Sequence, residues 1–191
     1  MELNQACEQL KELQEKLSAE KPEISLLINN AGCGYLGNIE QINLVLSVID
    51  CFLAENGKVV VDPVMGDGGN LYAGFSQDYV NEMRLLCKRA DFILPNVTEA
   101  CYLAQTLFPL TKEDIPQTLE RLREICPVPI ITGVIENDEM SVYYTNKSSE
   151  VYSFTHENVK GFFHGEGDVF SSAFVGALAK GKAVDTAIML A

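Results

Sequence analysis

Short apolar runs of strand length alternate along this chain with segments of helical periodicity. Nearly every such run ends in a cluster of Gly, Pro, Asn or Asp. Ile24–Ile28, Lys58–Asp62, Asp91–Leu94 and Pro129–Thr132 are the runs; apolar residues at helical spacing fill 42–53 (ended by a turn at Asn56-Gly57), 76–88 and 112–125 between them. Leu3, Leu10, Leu13 and Leu17 stripe a further helix ahead of Lys21-Pro22. Apolar strands separated by helices need crossover connections, so they pair in parallel and are covered on both faces. The expected fold is therefore α/β: three layers, a mainly parallel sheet with helices on both faces. Met140–Thr145 and Val151–Phe154 alternate with period two and predict one antiparallel hairpin near the sheet edge.

The chain has 191 residues, the size of a single domain. Its formal net charge of −13 speaks against a nucleic-acid surface, which needs clustered Lys and Arg. It leaves phosphate ligands open, because backbone amides capture those locally. No apolar run approaches membrane-spanning length, and Met1 leads into an acidic, amphipathic segment unlike a signal sequence. The six cysteines (Cys7, Cys33, Cys51, Cys87, Cys101, Cys126) form no C-x-x-C pair and read as small core residues in a reducing cytoplasm.

Ligands of a parallel sheet bind beyond the carboxyl ends of its strands. Four polar clusters fall there: Asp62-Pro63-Val64-Met65-Gly66-Asp67, Asn96-Val97-Thr98-Glu99, Thr132-Gly133, and Gly165-Glu166-Gly167-Asp168. The last opens onto a helix striped by Val169, Phe170, Ala173, Phe174, Ala177 and Leu178. A helix start presents unpaired N–H groups and partial positive charge, and glycines let a ligand approach the backbone. A carboxylate at such a mouth can take a proton from a hydroxyl while the amides hold developing phosphate charge. Asn96 and Glu99, three apart at a helix start, can both face one edge and hold water or Mg²⁺; an N-cap with a first-turn acid explains them equally.

Together the clusters resemble the pyridoxal kinase branch of the ribokinase-like superfamily. The matching text is GYLGN (Gly34–Asn38), VDPVMGDGGNLYAGF (Val61–Phe75), LPNVTEACYL (Leu94–Leu103), ITG (Ile131–Gly133) and FHGEGDVFSSAFVGAL (Phe163–Leu178). The resemblance implies ATP-dependent phosphorylation of the 5′-hydroxymethyl group of pyridoxal, pyridoxine or pyridoxamine, with Mg²⁺. It implies Asp168 as the base, with Gly165 and Gly167 in the anion hole. Asp62, Asp67, Asn96 and Glu99 would organise Mg²⁺, its waters and the phosphates, with Asp67 and Glu99 nearest the metal. Tyr35 matches a position beside the substrate ring, and Thr132 one beside ATP. The loop Gly66–Tyr72 would lie near the nucleotide as a lid. The implied setting is cytoplasmic, with a B6 vitamer and ATP as partners and room for a homodimer, and without nucleic acid or membrane.

Residues 34–191 carry this resemblance, and 1–33 form an atypical helix and strand within the single domain. There, LKELQEKLSAEKPEISLLINNAGCGYLG (Leu10–Gly37) resembles a short-chain dehydrogenase/reductase segment, with Asn29-Asn30-Ala31-Gly32 after a strand. No glycine-rich phosphate turn accompanies it, so hydride transfer ranks last among the functions considered. A hydroxymethylpyrimidine kinase, sharing the fold and the Gly/Asp turn, is the nearest alternative. A folded scaffold without turnover is the alternative from another class.

The family pattern has Thr where this chain has Glu166. A carboxylate beside phosphates repels them, and the lost hydroxyl removes a donor. Glu166→Thr is therefore expected to tighten ATP binding about two- to fivefold, the size of one charge interaction at a helix terminus. Calorimetric titration with Mg²⁺ present checks this; equal or tighter binding by the parent contradicts it.

Overall fold

The computed structural model describes residues 36–146, 149–158 and 165–191, and the backbone of 24–29. The expected helix through Leu3–Leu17, the Asn30–Gly32 turn and Tyr35 lie outside the described residues.

Strand β1 (Ile24–Asn29) is followed by helix α1 (Ile39–Phe52), β2 (Leu53–Val61), the short pair β3 (Gly66–Asp67) and β4 (Asn70–Leu71), and α2 (Gln77–Cys87). Then come β5 (Phe92–Ile93), α3 (Val97–Ala104), α4 (Ile115–Arg123), β6 (Val128–Glu136), β7 (Glu139–Thr145), β8 (Val151–Glu157), α5 (Glu166–Ala179) and α6 (Val184–Leu190). The main sheet runs β1-β2-β5-β6-β7-β8. Its first four strands are parallel, as the alternation of strand and helix requires.

Alternating side chains divide the interior into two cores, since successive strand residues point to opposite faces. Val59, Val61, Ile93 and Ile131 pack with α1 to α4. Val60, Phe92, Leu94, Val128 and Ile130 pack with α5 and α6. Among the described residues no helix is long and apolar enough to cross a membrane.

The expected antiparallel hairpin is β7–β8 at the sheet edge; β7 also pairs antiparallel with β6, and β3 with β4. Two expectations need correction. β2 begins at Leu53, so Asn56-Gly57 lies inside a strand and not in a turn. The register against β1 jumps there, from Ile24↔Leu53 to Leu26↔Lys58, which accommodates the extra residues as a bulge. Finally, Val169 does not belong to the buried stripe of α5. It is 67% exposed, while Ser171, Phe174, Val175 and Ala177 face inward.

Phe174 anchors α5 on the sheet. It is fully buried, meets Phe92 edge-on with centroids 5.5 Å apart and stacks on Phe170. Phe174→Ala is expected to lower the stability by about 3–5 kcal/mol, read as a shift in the denaturant unfolding curve. A change below about 1 kcal/mol would mean that α5 is held chiefly by other contacts.

Candidate active site

β2 ends at Val61, and Asp62 follows at the carboxyl edge of the sheet before Pro63 redirects the chain. The loop then folds back as β3–β4 through Gly68 and Gly69, both at positive φ (56° and 83°). A hairpin turn of this kind needs left-handed residues, which glycine adopts without strain. A Cβ on Gly69 would also lie 2.7 Å from the Phe108 ring.

The hairpin is fastened to α3 by side chains of the Asn96–Glu99 cluster. Gly69 N–H donates to Thr98 Oγ1 (2.9 Å) and Asn96 Nδ2 donates to the Gly66 carbonyl (2.9 Å). Asn96 and Glu99 form a reciprocal cap: Glu99 N–H donates to Asn96 Oδ1 (3.0 Å), and Asn96 N–H to Glu99 Oε2 (2.9 Å). Met65 N–H donates to the other Glu99 oxygen, Oε1, at 3.0 Å. The segment expected to act as a lid is thus pinned along one side.

Helix α5 starts at Glu166, with Gly165 in the left-handed conformation (φ 86°) at its N-cap. Among the described residues, a Cβ added to Gly167 would meet nothing within 4 Å. Asp168 is half-buried one residue on, while Glu166 is exposed. Ser171, 2% exposed, places Oγ 2.6 Å from Asp62 Oδ2 and 2.6 Å from the Gly167 carbonyl. Thr132 joins the same edge: it bridges to Asn96 in parallel register and its N–H donates to the Pro95 carbonyl (2.9 Å).

Two carboxyls here are strongly perturbed. Burial pushes Glu99 up to about 8; the Asp62 charge adds to the rise, and the N–H donors of Met65, Asn96 and Gly66 oppose it. Burial likewise pushes Asp62 up to about 6; the Ser171 hydroxyl opposes the rise, and the Asp168 charge adds to it. The Tyr72 phenol is raised by burial and then by Glu99, Asp67 and Asp62, which places it in the same field.

Asp62, Asn96, Glu99, Thr132 and the Gly165–Asp168 turn therefore gather along the carboxyl edge, with Asp67 on the adjoining hairpin. Ser171 was not among the residues expected from the sequence, and Tyr72 was named there only as the end of the loop Gly66–Tyr72. A polar residue interrupting the apolar face of α5 was the available signal for Ser171; no spacing pointed to Tyr72. Both oxygens of Glu99 are taken by backbone donors, and among the described residues no three His, Cys, Asp or Glu side chains form a metal cage. The residues thus do not fit a protein-caged Mg²⁺ with Glu99 as a direct ligand.

The architecture is the ribokinase-like α/β fold. The chain belongs to the phosphomethylpyrimidine kinase family, which matches it over residues 11–191. That match includes most of the Leu10–Gly37 segment. A Caenorhabditis elegans protein provisionally named a pyridoxal kinase is 31% identical over 150 residues, which cover 74% of this chain and 46% of that protein. A Bacteroides thetaiotaomicron protein provisionally named a phosphomethylpyrimidine kinase superposes with TM-score 0.88 at 30% identity, covering 95% of this chain and 63% of that one. One crystal form of that protein was solved with pyridoxal. Pyridoxal kinase from Lactobacillus plantarum superposes with TM-score 0.87 at 26% identity, covering 95% of this chain and 64% of that one. The chain thus spans about half the length of the C. elegans relative and under two thirds of the solved chains.

The raised carboxyl of Glu99 fixes the sign of a pH effect. Across about pH 5 to 8 the folded chain holds a proton that the unfolded chain has released. The stability contributed by Glu99 is full below the ordinary carboxyl range and is lost as the pH rises through about 8. Urea midpoints are expected to fall over this window in the parent, and less steeply in Glu99→Gln. Parallel pH dependence in both proteins would contradict the assignment.

Proposed function

We propose that this chain carries the phosphoryl-transfer site of an ATP-dependent kinase for vitamin B6 compounds, acting on their 5′-hydroxymethyl group. The observation that carries this reading is the meeting of Asp168 and the glycine-opened start of α5 with Asp62 at the same sheet edge. Family membership and the likeness to a protein solved with pyridoxal support it.

In this reading the Asp168 carboxylate accepts the proton of the substrate hydroxyl. The hydroxyl oxygen then bonds to the γ-phosphorus of ATP, and the bond to the bridging oxygen breaks, with its electron pair leaving on ADP. The amides at Gly165–Gly167 hold the charge on the transferred group, as preorganised donors do in a site already turned toward it. Thr132 and the β3–β4 hairpin flank the nucleotide. Mg²⁺, held through its waters, would supply charge neutralisation on the phosphates. The exposed Asp67 carboxylate is the side chain offered to those waters; Glu99 holds the hairpin in place.

A hydroxymethylpyrimidine substrate is the second reading, favoured by the family to which the chain belongs. Competition of pyridoxal against the pyrimidine in a phosphorylation assay separates the two. Asp168→Asn is expected to lower transfer by roughly 10²–10⁴-fold while leaving ATP binding in place. Transfer that survives this substitution unchanged would remove the proposed base.

A further inference from the structure

We propose that Ser171 is a positioning residue of this site, tying the Asp62 carboxyl to the first turn of α5 and so setting Asp62 against Asp168. This rests on the kinase reading above.

Ser171 is buried on a helix face otherwise built from Phe174, Val175 and Ala177. A buried hydroxyl without a partner is costly, so a serine there requires an acceptor. It has two, Asp62 Oδ2 and the Gly167 carbonyl, each at 2.6 Å. The hydroxyl carries one proton and serves one acceptor at a time. Facing an ionised Asp62 it donates to the carboxylate. Facing a protonated Asp62 it accepts from the acid and turns its own proton to Gly167, one helical turn back.

In either state it bridges the end of β2, which contributes to both cores, and the start of α5, which packs in the second. Asp62 and Asp168 repel each other across this junction. Without the hydroxyl, that repulsion and the lost bond both favour swinging Asp62 away from α5. Gly165–Asp168 would then face a carboxyl group free to rotate. Supporting residues of this kind hold reacting groups within fractions of an ångström, and their loss costs about 10–100-fold in function.

The test compares the parent with Ser171→Ala, Ser171→Thr and Ser171→Cys. One readout is the ¹³C signal of the Asp62 carboxyl, identified by its loss in Asp62→Asn. The other is steady-state kinetics with pyridoxal and ATP. Ser171→Ala is expected to shift the carboxyl signal and lower kcat roughly 10–100-fold with little change in the KM for ATP. Ser171→Thr should bring both readouts back toward the parent. Ser171→Cys, similar in size but a weak donor, should resemble Ala and carries the comparison if Ala fails to fold. An unmoved carboxyl signal in Ser171→Ala, or parent-like behaviour of Ser171→Cys, would overturn the proposal. If the parent phosphorylates no vitamer, the kinase reading falls, and the carboxyl signal still decides whether Ser171 holds Asp62.

Discussion

The carboxyl group of Glu99 collects the N–H groups of Met65 and Asn96, which leave the ends of adjacent strands β2 and β5. Loops beyond strand ends have few constraints of their own, and here a single buried group supplies them for two loops and a helix cap. Each N–H would be costly to leave unpaired in the interior. The positions of Gly66, Asp67 and Tyr72 follow from this junction, because the hairpin that carries them starts at Met65 and closes through the Tyr72 N–H bond to the Met65 carbonyl (2.9 Å). Asn96 reinforces it from the other side through the Gly66 carbonyl.

This arrangement bears on how an acidic edge would receive polyphosphate in the proposed kinase reading. Asp62, Glu99 and Asp168 crowd one edge of a chain whose net charge is −13. Burial lifts Glu99 to about 8, so near neutral pH it is mostly protonated and the edge carries less negative charge than its composition suggests; Asp62, lifted to about 6, stays mostly ionised. In the proposed kinase reading, the positive end of α5 would then meet a phosphate with less opposition. Glu166 is exposed at the first helical position, so its opposition to a phosphate is limited to the few-fold effect of one surface charge at a helix terminus.

Much of the fold was legible because the alternation of β-branched runs with helical stripes leaves few topologies. KVVVD and the segment ending at Pro95 could be placed as interior strands from apolarity alone. What escaped was governed by contacts distant in sequence. Asn56-Gly57 reads locally as a turn, yet pairing with β1 draws it into a bulged strand. Val169 matches the helical period of its neighbours, yet it lies in solvent while Ser171 turns inward. In the site, Asn96 and Glu99 were recognisable by their spacing as a cap and as a ligand pair. Only the approach of Met65, 34 residues away, shows that the oxygens are already engaged.

The place of the site follows from how the two cores meet. Val59 and Val61 face one helical layer while Val60 faces the other, so the end of β2 is gripped from both sides. Asp62 is the first residue past that grip. α3 arrives from the first layer with Glu99, and α5 from the second with Asp168 and Ser171. No single layer could bring these groups together, since residues on one helix project from one surface of the sheet. The carboxyl edge is where both layers end, and there a short polar tie between them can hold what packing on either face cannot.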